Sequence, residues 1–179
     1  MALRETVGIV RMVVLETERL SLREVALDDA PFMLELLNSP GFLENIGDRG
    51  VRDEEQARAY IEERVLASYR DHGFGMWLAA QKADDAPVGL AGLVRREGLD
   101  VPDVGYAFIQ KAWGRGYAQE AAAAVLAHAR GALAIPKLAA ITSPENFASM
   151  AVLRKIGFTF HGVIDLPGVE GESTYFTAG

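Results

Sequence analysis

The stretch Gln110 to Leu126, "QKAWGRGYAQEAAAAVL", sets two glycines one residue apart directly before an alanine-rich run at helical spacing. It continues "VPDVGYAFIQ", a short apolar run that reads as a strand, so the chain here passes from strand through glycine loop to helix. Two readings compete. Glycine is a permissible helix cap, and a plain helix entry needs no ligand. Alternatively, the glycines let the backbone approach an anion, and the unsatisfied N–H groups of the first helical turn, helped by the helix dipole, face a phosphate. Taken alone, the stretch favours the plain turn.

Outward from this point the pattern is mixed. Toward the N-terminus, "FGMWLAAQKA", "APVGLAGLVRRE" and "VPDVGYAFIQ" are short apolar runs separated by turn residues, the mark of a three-stranded antiparallel meander, and Gly105 in the third marks a bulge. Earlier still, Leu20 and Leu22 alternate with Arg19, Ser21 and Arg23, which predicts one strand over Val13 to Val25. "DDAPFMLELLNSPG" predicts a short helix with a Ser-Pro-Gly stop, and Asp53 to Arg70 a second one carrying Ala57, Tyr60, Ile61, Val65 and Leu66 on its apolar face. Toward the C-terminus, a helix from about Tyr117 to Arg130 is followed by a buried strand at "PKLAAITS", a helix at "PENFASMAVLRKIG", and strands at "FTFHGVI" and "STYFTA". The order β, α, α, β, β, β, α, β, α, β, β predicts an α+β fold around a mixed sheet, with the strands on either side of the glycine-loop helix as parallel neighbours.

Composition narrows the function classes. The 179 residues suit a single domain with a real core, spanning 1–179. With 18 basic against 25 acidic residues the formal charge is −7, which argues against general nucleic-acid binding and accommodates a cationic partner. There is no cysteine, so thiolate nucleophiles and cysteine metal sites are excluded. His72, His128 and His161 stand far apart without metal spacing, so no metal site is expected. Glu5 and Arg11 interrupt any signal-peptide core, and no apolar run approaches the roughly 18 residues of a membrane span, which makes a cytoplasmic protein without membrane association the expectation.

The loop itself lacks the Lys and Ser/Thr of a P-loop and the third glycine of a dinucleotide fingerprint. What remains, Lys111-x-x-Gly114-x-Gly116 between strand and helix, suits a pyrophosphate held by successive backbone N–H groups. A second constellation lies in "SPENFASMAVLRKIGF", where Asn146 reads as a helix-entry residue, Ser149 as a helical serine and Gly157 as a C′ glycine.

Together, "YAFIQKAWGRGYAQEA" and "ITSPENFASMAVLRKIGF" resemble the acetyl-CoA-binding half of the GNAT N-acetyltransferase superfamily, and "TERLSLR", Thr17 to Arg23, resembles its RimJ/RimL-like ribosomal-protein N-acetyltransferase branch. The resemblance covers roughly Leu15 to Phe176 in compatible order, and agreement across three separated motifs makes coincidence a poor account. It implies a GNAT-like three-layer fold: a mixed, mostly antiparallel sheet of about seven strands flanked by helices and splayed between its two central parallel strands. It implies acetyl-CoA as cosubstrate, its pyrophosphate on Lys111, Trp113, Gly114, Arg115, Gly116, Tyr117 and Ala118, and its pantetheine along Phe108, Ile109 and Gln110 with Asn146, Ser149 and Lys155 nearby. The core for the cosubstrate then covers about 101–158, and the helices of about 28–72 shape the acceptor site.

Two positions depart from the superfamily pattern. Lys111 replaces the usual Gln or Arg, which alters donor geometry. Leu153 stands seven residues after Asn146, where many members carry a tyrosine acid, and leucine cannot donate a proton. Direct transfer needs a neutral amine, a stabilised oxyanion and protonation of the departing thiolate. Ser149 is the candidate donor to the thiolate, a backbone N–H near Phe108 to Gln110 the oxyanion donor, and Asp103 a relay for the amine proton through water. The acceptor expected is a peptide or protein N-terminal α-amine, the alternatives being a small-molecule amine or a non-catalytic acyl-CoA-binding domain, as monomer or homodimer.

Overall fold

The computed structural model describes residues 2–6 and 9–179. One sheet carries nine strands: β1 (Ala2–Thr6), β2 (Ile9–Glu16), β3 (Leu20–Arg23), β4 (Met76–Gln81), β5 (Pro87–Val94), β6 (Asp103–Phe108), β7 (Leu138–Thr142), β8 (Thr159–Ile164) and β9 (Ser173–Ala178). Their spatial order is β1-β2-β3-β4-β5-β6-β7-β9-β8. Every neighbouring pair is antiparallel except β6 with β7. The α+β fold around a mixed sheet is therefore as the pattern indicated, and the mostly antiparallel sheet as the resemblance implied, with two strands more.

The extra strands have simple causes. β1 was not anticipated. The predicted strand Val13 to Val25 is in fact a hairpin, because the chain turns at Thr17, whose N–H donates to the Leu20 carbonyl at 2.8 Å while its hydroxyl accepts from the Leu20 N–H at 2.9 Å. Alternation of apolar and polar residues runs through such a turn unchanged, so the pattern alone does not show it.

The helices are α1 (Ala30–Leu37), α2 (Pro40–Asn45), α3 (Glu54–Tyr60), α4 (Ala67–His72), α5 (Tyr117–Arg130) and α6 (Phe147–Lys155). The Ser-Pro-Gly segment, expected only as a stop, also starts α2: Ser39 is extended and Pro40 takes the first helical position, where its fixed φ is favourable and its missing N–H costs nothing. A π-helical segment, Ile61–Leu66, joins α3 to α4, and the helix closes at Gly73 with φ +74°. Nor does Gly105 form a bulge. The β5–β6 register runs unbroken from Gly89↔Phe108 to Val94↔Asp103, and Gly105 instead lies beneath Met76, whose sulfur is 3.4 Å from where a Cβ would stand.

The sheet is held on α5 by a stripe of small and branched residues. Tyr117, Ala121, Ala122, Val125, Leu126 and Ala129 are buried at helical spacing, and Trp77 of β4 meets His128 edge-on at 5.5 Å. Farther along, Arg23 grips Asp29 through two 2.8 Å hydrogen bonds, both side chains buried. Asp29 also accepts from the Ala26 N–H, which fixes how the chain leaves β3 for α1. Removing one partner of such a buried pair costs about 3–5 kcal/mol. Among the described residues no helix is long and apolar enough to cross a membrane.

Candidate functional site: a strand fork and two helix starts

The two parallel strands meet at a single residue pair, Asp103↔Ala139, secured by the Ala139 N–H on the Pro102 carbonyl at 3.0 Å. Beyond it β6 pairs only with β5, and the gap toward β7 is the splay that the resemblance implied. Ile109 donates to the Val88 carbonyl at 3.0 Å. Backbone groups of an antiparallel strand alternate in direction, so Phe108 and Tyr106 turn theirs away from β5, into the gap. The Phe108 carbonyl is taken by the Trp113 indole N–H at 2.8 Å.

At the mouth of the fork, Gln110–Ala112 forms a 3-10 turn and the glycine loop follows. Gly114 has φ +75° and Gly116 φ +79°, left-handed conformations that side-chain-bearing residues adopt at a cost of about 1–2 kcal/mol. The two glycines are therefore required by the backbone. Gly116 caps α5 without a side-chain hydrogen bond, so the N–H groups of the first turn are left without an acceptor from the helix itself. Gly114, Arg115 and Gly116 are exposed. Lys111 is also exposed and approaches Glu35 only to 3.9 Å. Trp113, half exposed, lies over Gly41 at the start of α2 so closely that a Cβ there would stand 2.4 Å from its ring. Tyr117 and Ile109 are buried, and Ala118 is half-buried behind the loop.

Across the gap stands the start of α6. The Asn146 side chain accepts from the Ser149 N–H at 3.1 Å, closing this helix end with its own cap. The Ser149 hydroxyl lies 2.7 Å from the Tyr106 hydroxyl, which also donates to the Ser149 carbonyl at 3.1 Å. This hydroxyl pair ties β6 to α6. Burial raises the Tyr106 phenol to about 12, against a smaller lowering by the bond to Ser149. Tyr106 is thus a neutral donor throughout the physiological range. No motif in the sequence gives Tyr106 a role; its one signal is that a half-buried phenol on a strand needs a hydrogen-bond partner for its polar end.

Other anticipated residues fall elsewhere. Asp103 is buried at the closed end of the fork, roughly 16 Å along β6 from Phe108. By strand alternation it occupies the face opposite Tyr106, and its carboxylate lies 3.4 Å from Arg96. Burial raises its pKa, with Arg96 opposing. Lys155 is exposed in the last turn of α6, about 9 Å along the axis from Ser149. Leu153 is buried in the core.

Comparison with known proteins gives a consistent result. Residues 19–159 match the family described as Acetyltransferase (GNAT) domain. The chain is 32% identical over 153 residues to the uncharacterized protein YkkB of Bacillus subtilis (strain 168), covering 84% of this chain and 87% of that one. The crystal structure of an acetyltransferase from Agrobacterium tumefaciens str. C58 superposes with a TM-score of 0.78 at 26% identity, over 98% and 99% of the two chains. The ribosomal L7/L12 alpha-N-protein acetyltransferase RimL, solved in complex with coenzyme A, shares the fold with a TM-score of 0.77 at 20% identity, over 93% and 97%.

Proposed function

The chain belongs to the GNAT acetyltransferase family, and we propose that it transfers the acetyl group of acetyl-CoA directly to a peptide or protein N-terminal α-amine. One observation carries the reading: two left-handed glycines open α5 at the mouth of a two-strand fork, leaving uncapped N–H groups where an anion can dock. The residues present fit a cosubstrate with a diphosphate and a long polar arm. The loop from Lys111 to Ala118 takes the diphosphate, and the gap between β6 and β7 takes the arm.

The cosubstrate supplies an activated thioester. Phe108 presents its backbone N–H to the carbonyl oxygen, where negative charge develops during attack by the amine. Ser149 gives its hydroxyl proton to the departing sulfur and regains one from solvent water, the surplus proton of the attacking amine passes to water, and the Tyr106 hydroxyl, 2.7 Å from that of Ser149, holds the serine in the fork. Leu153 takes no part in proton transfer.

For the acceptor, an α-amine has a reference pKa of roughly 7.7–8.0 against about 10.4 for lysine, so more of it is neutral and nucleophilic near neutral pH. The fold likeness to RimL and the motif Thr17 to Arg23 support the peptide end of this choice. The test is a parallel assay with acetyl-CoA and short peptides with free or blocked N-termini, free amino acids, polyamines and aminoglycosides. Acetylation of free-N-terminus peptides alone is expected. Acetylation of the non-peptide amines alone overturns the acceptor, and acetyl-CoA binding without turnover on any amine leaves only a binding domain.

A further inference from the structure

The motif at Thr17 to Arg19 has a physical task that the proposed reaction does not yet use. Its turn is rigid, because Thr17 bonds Leu20 twice and the Lys82 N–H donates to the Arg19 carbonyl at 2.9 Å. From that turn three donors converge on one carboxylate, Glu120, in the first turn of α5: the Thr17 hydroxyl at 2.9 Å, the Arg19 backbone N–H at 2.9 Å and the Arg19 side-chain Nε at 2.8 Å. The Arg19 guanidinium also lies 4.6 Å from the ring centroid of Tyr117, the first residue of α5, whose own hydroxyl donates to Gln81 of β4 at 2.9 Å. Glu120 is thereby held in place although its side chain keeps some exposure. Burial pushes its carboxyl up, but the backbone N–H of Arg19, the Thr17 hydroxyl and the Arg19 guanidinium together outweigh this and hold it below the ordinary glutamate value.

The contrast with the other side of the loop is informative. Gly114 has no atom within 4 Å of a Cβ position, and Gly116 has only the Arg19 guanidinium, at 3.4 Å. A loop of two left-handed glycines has little stiffness of its own, so its conformation is set by what holds the helix start. We propose that Thr17, Arg19 and Glu120 form a latch that fixes the first turn of α5 and thereby holds the glycine loop ready for the diphosphate of acetyl-CoA. These three are positioning residues. The inference rests on the acetyl-CoA reading of the loop, and it adds that affinity for the cosubstrate is set in part by a hairpin turn a hundred residues away in sequence.

The experiment measures acetyl-CoA affinity by calorimetry, and turnover as separate kcat and KM, for the wild type and for Arg19→Ala, Glu120→Ala, Thr17→Val, Thr17→Ser and the Arg19→Ala/Glu120→Ala pair. Arg19→Ala and Glu120→Ala are each expected to raise the dissociation constant and KM for acetyl-CoA about tenfold, leaving kcat at saturation unchanged. The double variant is expected to be no weaker than the weaker single one, because both remove the same latch. Thr17→Ser keeps the hydroxyl and should bind as the wild type does, while Thr17→Val should not. If Arg19 instead touches the diphosphate itself, Arg19→Ala weakens binding while Glu120→Ala, which frees the guanidinium, does not; that result overturns the latch. Wild-type affinity in every variant overturns it as well. A wild type that does not bind acetyl-CoA defeats the underlying reading, an outcome distinct from either. Should a single variant fail to fold, Glu120→Gln, which keeps side-chain size and two polar atoms, takes its place with the same expected direction.

Discussion

Helices α5 and α6 both begin at the fork, yet they begin differently. α6 is closed by its own sequence: Asn146 accepts from the Ser149 N–H, the side-chain cap that natural helices use to satisfy an orphan donor. α5 starts on a left-handed glycine with no side-chain cap, so its first-turn N–H groups have no acceptor within the helix. A helix end left open costs stability unless something external fills it. The difference assigns the labour of the site. On the proposed reading the open start takes the anion, while the closed start holds one hydroxyl, Ser149, against Tyr106 in the fork.

The strongest way to break this division is at the closed start. Ser149→Ala is expected to lower kcat by about 10²- to 10⁴-fold, the usual range for a lost general acid, while the acetyl-CoA dissociation constant changes little. Near-normal turnover under conditions where chemistry limits the rate returns Ser149 to packing.

At the open start the effect should fall on binding. Gly116→Val places a branched side chain at φ +79° and is expected to weaken acetyl-CoA binding by more than about tenfold, since left-handed backbone alone costs about 1–2 kcal/mol. Gly116→Asn sharpens the point, because asparagine tolerates this conformation. If Asn binds nearly as well as Gly, backbone geometry is the determinant; if Asn is as poor as Val, the side chain itself obstructs the ligand. A folded Gly116→Val protein with unchanged affinity removes the anion site.

Tyr106→Phe removes the hydroxyl that meets both the hydroxyl and the carbonyl of Ser149 and should cost about tenfold in kcat. Because burial places the Tyr106 phenol near 12, the wild-type enzyme keeps this donor protonated up to strongly alkaline pH, so Tyr106→Phe should lower kcat by the same factor at pH 7 and pH 9. A loss that disappears at one of these values would mean that Tyr106 changes its charge in the working range.

The smallest effect belongs to the cap. Asn146→Ala is expected to lower stability by about 1 kcal/mol, read as a shift in the denaturant midpoint, with acetyl-CoA affinity falling far less than in Gly116→Val. A loss of affinity equal to that of Gly116→Val would erase the distinction between the two helix starts.

How much of this could be read from the chain differs by kind of signal. The strand, loop and helix from Val101 to Arg130 were legible because glycine, alanine and apolar spacing each encode local geometry, and two positive φ values are a strong reason for two glycines. The fork was implied only through the resemblance, since no local pattern distinguishes a strand with one parallel pair from one with five. The turn at Thr17 was hidden because alternation continues across it, and the Ser-Pro-Gly segment because Pro40 serves equally to end one helix and to begin the next. Tyr106 and the Thr17–Arg19–Glu120 cluster were illegible for a different reason: their partners lie 43 and about a hundred residues away, and only the fold brings them together.

The most direct measurement is an amide NMR titration of the folded protein with coenzyme A, following ¹H–¹⁵N signals at both helix starts. The largest shifts are expected at Gly114, Arg115, Gly116, Tyr117 and Ala118, with the capped Ser149 N–H shifting less. Binding that leaves the five loop amides in place, or that moves the Ser149 amide most, contradicts this expectation.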